Sequence, residues 1–352
     1  MQDFFENATG RQGQVFNLDI AQYWNALAIS RLMNRESNMK ARENLLLVSE
    51  KGILNSDNEP CSNVPFQSAP VNTGDVCGNH VAVIVGKHEV WTFASGEWHQ
   101  AAATEVKLNC ICWTSDGRLL VGTESARLAW LSDGDLEFID SFDEVPERNL
   151  WVTPWGGPPD VRSLAVSTDG TIYANVHVGW IVRSKDGGKT WKNLREGLDM
   201  DVHQVAAHPS NPAIVFVATA EGFYLSKDHG ETFTHQSNDM PYCYQRACTC
   251  FPERDVYLLS TSREPHGYAE ARVYRSEDEG IHWEPVNGLP EKISNNINTF
   301  QIIIVRDGNA LVIVEDTSIY ETNDYGMNWE KVRDDYPKLY GALVIPEGCR
   351  TT

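Results

Sequence analysis

At 352 residues, with 41% hydrophobic and 22% charged residues, the chain is long enough to bury a large core, either as one closed β domain or as two ordinary domains. Its 49 acidic against 29 basic residues give a formal charge of −20, which argues against nucleic acid and anionic membrane as partners, because phosphate binding draws on clustered Lys and Arg. Twenty-six Gly and eleven Trp, spread along the chain, suit many short strands and tight turns better than helices.

Residues 1–40 stand apart from the rest. Asp19 is a suitable N-cap for a helix running to Leu32, with Ile20, Trp24, Leu27 and Arg31 on one face. The first residues lack a basic segment followed by an apolar run, so no signal peptide is expected. No apolar stretch approaches the roughly 20 residues that span a bilayer. The eight Cys are therefore expected to be reduced thiols and the protein cytoplasmic.

From residue 41 onward the rhythm is that of short strands. Leu45–Leu54 reads as two strands about a turn, Val81–Trp98 as a second unit and Cys110–Trp130 as a third. Trp151–Arg162 follows, with Trp151, Trp155, two Gly and two consecutive Pro; that composition forms neither helix nor regular strand and reads as a rigid aromatic loop. Four segments then share the pattern S/T-x-D-x-G-x-x-W/F. They begin at Ser184, Ser226, Ser276 and Thr322, which are 42, 50 and 46 positions apart, the length of a four-stranded propeller blade. In each, the Asp carboxylate can accept backbone N–H groups of its own turn, and the Gly two positions later supplies a positive φ. This is a structural device with no catalytic role. A last apolar run, Tyr340–Ile345, has no such turn after it and is predicted to pair with the first unit.

These four turns resemble the Asp-boxes of the BNR-repeat superfamily, which includes sialidases, sortilin-type receptors and photosystem II assembly factors. The resemblance covers about residues 160–335. It implies a β-propeller; with the three earlier units the count is seven blades, so the expectation is an all-β, seven-bladed propeller over residues 41–352, closed by the C-terminal strand. It does not fix function, because enzymes and non-enzymes share the motif.

In such a propeller the boxes mark turns between the third and fourth strands of a blade, on one face. The opposite face, around the mouth of the axial channel, gathers the other polar segments. These include Arg148, Trp151, Trp155, Asp160, Arg162, His177, Asp201, His203, Tyr244 and Arg246. Arg162 and Arg246 can hold an anion. Trp151, Trp155, Tyr244 and Arg148 complete a binding wall, and His177 and His203 with Asp160 or Asp201 supply acid–base chemistry. The leading expectation is thus a propeller enzyme, a hydrolase or lyase, or an enzyme-like binder for a polar or anionic small molecule or glycan. Three alternatives stand beside it. A protein-binding scaffold would resemble the photosystem II assembly factors. A sialidase-like hydrolase would pair the arginines with Tyr242, Tyr244 and Asp160, but no Arg-Ile-Pro motif precedes them. A metalloenzyme would use His177 and His203, with His266 or His88 joining; the sequence itself requires no cofactor.

Overall fold

The computed structural model describes residues 44–153, 156–237 and 240–346. The helix expected at Asp19–Leu32 and the side chain of Trp155 lie outside these residues. The described chain is an all-β, seven-bladed propeller: six antiparallel sheets of four strands and one of three. In the three-stranded blade, Leu45–Ser49 and Gly52–Leu54 are joined by Leu339–Val344, with Leu45 opposite Val344 and Leu47 opposite Ala342. The C-terminal strand therefore closes the ring, as the run Tyr340–Ile345 predicted, and completes the first blade. The remaining inner strands are Val71–Cys77, Leu108–Trp113, Val161–Val166, Val202–Ala207, Cys248–Cys250 and Ile302–Arg306. The seven described cysteines are free thiols.

Stability is distributed around the ring. Several second strands of the blades, among them Ile172–Val176, Val215–Thr219 and Tyr257–Thr261, are buried at every residue. A strand covered on both sides by neighbouring sheets loses the in–out alternation of a half-exposed one, which is why these runs read as continuously apolar. Seven hydrophobic clusters result, one between each pair of adjacent blades.

The four repeated turns have one geometry. Asp186 accepts from the backbone N–H groups of Lys189 and Thr190 at 3.0 and 2.9 Å and from the Thr190 hydroxyl at 2.5 Å, while Ser184 Oγ accepts from Gly188 N at 2.9 Å. Gly188 has φ +88°, and its counterparts Gly230, Gly280 and Gly326 have +84°, +84° and +81°, a region that costs a residue with a Cβ extra strain. The Thr190 hydroxyl and backbone hold the Asp186 carboxyl at about 2, and despite opposing burial the equivalent bonds lower Asp228, Asp278 and Asp324. A carboxyl lowered in the folded state adds stability above its ordinary value of 3.8 and forfeits it as pH falls through the folded value. The melting temperature is therefore expected to hold from neutral pH to about 5 and to fall steeply between about 4 and about 2. Replacing the four aspartates by Asn should lower it at neutral pH and flatten that fall; calorimetry across pH checks both.

Candidate functional site

Four polar side chains from two adjacent blades meet at the channel mouth. Arg162 and His203 are each the second residue of an inner strand, and both strands bulge there. Val161 pairs with Val176 and Ser163 with Asn175, leaving Arg162 without a ladder partner; Val202 pairs with Thr219 and Gln204 with Ala218, leaving His203 likewise. A bulge re-aims the extra residue out of the alternation of the strand. His177 follows the second strand of the Arg162 blade, and Asp201 immediately precedes the strand that carries His203. All four thus lie on the face opposite the repeated turns.

The Arg162 guanidinium Nη1 lies 3.0 Å from His177 Nε2. His177 Nε2 is 3.3 Å and His203 Nε2 3.5 Å from the same oxygen, Asp201 Oδ1. His203 is completely buried, His177 13% exposed and Asp201 29% exposed. The His203 ring packs on Tyr244 with centroids 4.7 Å apart, and its Nδ1 faces the carbonyl of Gln245. Thr299 braces the site, its hydroxyl donating to the carbonyls of His203 and Arg246 at 3.2 and 3.1 Å.

The electrostatics follow from this packing. Burial, with Arg162 adding, pushes His203 down to about 4 against the pull of Asp201, so its imidazole is neutral at pH 7. Burial works against the Asp201 carboxylate, but the two imidazoles pressed against it outweigh that and hold it below the usual range. Burial and the neighbouring Arg246 lower Arg162 to about 10, which leaves it cationic at neutral pH. Asp160 is raised by burial and by Glu124.

The other expected residues take different places. Asp160 touches His177 through the backbone, its carbonyl accepting the His177 N–H at 2.8 Å; the carboxylate between the two imidazoles belongs to Asp201. Arg246 is largely engaged, donating to Asn298 Oδ1 at 2.8 Å, Tyr244 Oη at 3.1 Å and the Pro265 carbonyl at 3.0 Å. Arg148 donates to the carbonyls of Ala126 and Ser125 and pairs with Asp143 at 3.6 Å. Trp151, expected in the binding wall, packs inward. Only 5% exposed, it packs against Phe142, and its ring lies where a Cβ on Gly179 would fall, at 2.8 Å. Trp151 instead backs the turn that carries His177. In that turn Val178 and Trp180 hold φ of +56° and +63°, positions that surrounding structure must enforce. His88 bonds the Thr104 carbonyl in the second blade, and His266 is exposed on a loop of the sixth. Asp201, Asn298 and Thr299 complete the site; the pattern Asp-x-His at the start of an inner strand is the signal that marks Asp201. Below the mouth a cavity of about 390 Å³ follows the axis, with Asp75, Gln204, Thr249 and Tyr340 in its wall.

Comparison with known proteins supports the fold and bounds its meaning. A xyloglucanase of Hypocrea jecorina is 23% identical over 181 residues, 50% of this chain and 21% of that protein. A vacuolar protein sorting/targeting protein 10 of Verticillium alfalfae is 28% identical over 123 residues, 34% of this chain and 7% of that protein. The chain thus spans at most about a fifth of the length of these relatives. Among solved structures, an ancestral GH74 enzyme superposes with a TM-score of 0.58 at 16% identity, covering 76% of this chain and 39% of that one. YCF48 bound to D1 peptide superposes at 0.53 and 13% identity, covering 76% and 83%. Residues 151–343, more than half of the chain and including Arg162, His177, Asp201, His203 and Arg246, match the model of the DUF6242 β-propeller domain, and the chain belongs to that family.

Proposed function

We propose that this propeller is an enzyme-like binder that takes a polar, anionic small molecule or glycan at the channel mouth. Arg162 is the anchor, and His203, Asp201 and His177 handle protons. The observation that carries this reading is the state of Arg162. Among the described residues its one hydrogen-bond partner is His177, so most of the five guanidinium N–H donors remain for a ligand carboxylate, sulfate or phosphate. Arg246 repels Arg162, and an incoming anion relieves that repulsion. Beside it, a neutral His203 presents an unprotonated nitrogen, as hydrolysis or elimination requires of a base. The repeated turns support kinship with BNR-repeat propellers, among which both catalysts and binders occur. Calorimetric titration of the full chain with small carboxylates, sugar phosphates and uronic-acid oligosaccharides tests the proposal. At least one should bind one per chain and compete with the others; failure of every anion removes the reading.

A second reading, a peptide- or protein-binding scaffold, is favoured by one observation: the match to peptide-bound YCF48 spans 83% of that chain, against 39% for the GH74 enzyme. In a scaffold, contact is spread over many residues, and Arg162→Ala or His177→Ala alone should change partner affinity by less than about 3-fold.

A further inference from the structure

The geometry points to a divalent first-row transition-metal site formed by His177 Nε2, Asp201 Oδ1 and His203 Nε2, with its open coordination positions facing the channel mouth. This inference does not rest on anion binding by Arg162; either can hold without the other. It begins from an arrangement of lone pairs. The His203 Nδ1 faces a carbonyl oxygen, which can only accept, so Nδ1 carries a proton and Nε2 is the nitrogen left to serve as a ligand atom. The His177 Nε2 faces the Arg162 guanidinium, which can only donate, so it too presents a lone pair. Both nitrogens lie beside Asp201 Oδ1, at 3.3 and 3.5 Å. Three potential ligand atoms from adjacent blades therefore converge. His203 Nε2 and Asp201 Oδ1 have no hydrogen bond, although His203 is completely buried, a cost that folded proteins rarely leave uncompensated.

A metal ion supplies the missing partner. Two atoms each about 2.1 Å from a tetrahedral zinc lie roughly 3.4 Å apart; the two imidazole–carboxylate separations here are 3.3 and 3.5 Å. All three ligand atoms lie within 4.8 Å of one another, and among the described residues this is the one His/Cys/Asp/Glu group so disposed. Imidazole nitrogen with a single carboxylate suits Zn²⁺, Fe²⁺, Co²⁺ or Mn²⁺ rather than Ca²⁺ or Mg²⁺. The Nδ1 contact of His203 with Gln245 is the outer support that fixes the ring of a metal-binding histidine. Arg162 competes for His177 Nε2 and must swing away when the metal enters, which frees its guanidinium to meet an anion bound at an open coordination position.

The test uses the full chain stripped with chelator and titrated with Zn²⁺ by calorimetry and with Co²⁺ by visible absorption. One tight site per chain is expected, with the visible bands of nitrogen–oxygen-ligated Co²⁺. Asp201→Asn and His203→Gln, each verified as folded by circular dichroism, should weaken it by at least about 100-fold, and Arg162→Ala should tighten it. Should His203→Gln not fold, the partly exposed Asp201→Asn decides. Absence of one-to-one binding of either metal at millimolar concentration, or one-to-one binding that survives Asp201→Asn unchanged, overturns the site.

Discussion

A chain ending at Lys338 is expected to lose its cooperative unfolding transition altogether. The deleted strand is the inner strand of its blade, not an appendage. Leu339, Leu343 and Ile345 are 0%, 8% and 3% exposed and pack into the two clusters that flank the closing blade. Burying each contributes about 1.5–3 kcal/mol, so the three together approach the whole net stability of a typical domain, about 5–15 kcal/mol. The deletion also strips Leu45–Ser49 of one hydrogen-bonded neighbour and opens a sheet edge that invites association. By comparison, Leu343→Ala in the intact chain should cost about 3 kcal/mol and leave the transition cooperative. Thermal melts followed by near- and far-ultraviolet circular dichroism distinguish the two. A truncated chain that melts cooperatively within a few degrees of the full one would show that the ring does not depend on this closure.

The two mouth arginines are expected to fail in different ways. Arg162→Ala should weaken an anionic ligand about 30-fold, equivalent to about 2 kcal/mol for a charge-assisted hydrogen bond, with little change in melting temperature, because the side chain gives up a single hydrogen bond to His177. Arg246→Ala removes donors to Asn298, Tyr244 and the Pro265 carbonyl. It should therefore destabilise the fold by about 2 kcal/mol, while its effect on ligand comes through the loosened Tyr244 ring that packs on His203. Paired calorimetry and melts on the two variants read out the contrast. Equal loss of affinity without loss of stability would make Arg246 a direct ligand contact and remove its structural assignment.

What was legible in the sequence follows the range of the physics involved. The repeated turns are local: Asp186, Gly188 and Trp191 carry their hydrogen bonds and backbone preference within eight residues, so pattern alone placed them. Blade topology then converts those turns into a map of faces, which is why Arg162, His177 and His203 could be assigned to one mouth. The choice of Asp201 over Asp160 rested on the Asp-x-His pattern alone, because Asp160 stands in the same position ahead of Arg162, and only the packing of the two imidazoles on Asp201 separates them. Trp151 shows a different limit. An aromatic residue beside Pro and Gly satisfies the requirements of a ligand wall and of a core equally well, and Phe142 and Gly179, which capture it, lie in segments with no distinguishing pattern of their own. The engagement of Arg148 by the carbonyls of Ala126 and Ser125 was hidden for the same reason, since a carbonyl partner leaves no trace in residue type.

The most direct measurement is the position of a bound anion in crystals of the full chain grown with the tightest compound from the titration panel. Density is expected within hydrogen-bonding distance of the Arg162 guanidinium, over His177 and Asp201. Density confined to the face of the Asp186 and Asp278 turns, or to the outer wall of the disc, with the Arg162 donors left to solvent, would contradict it.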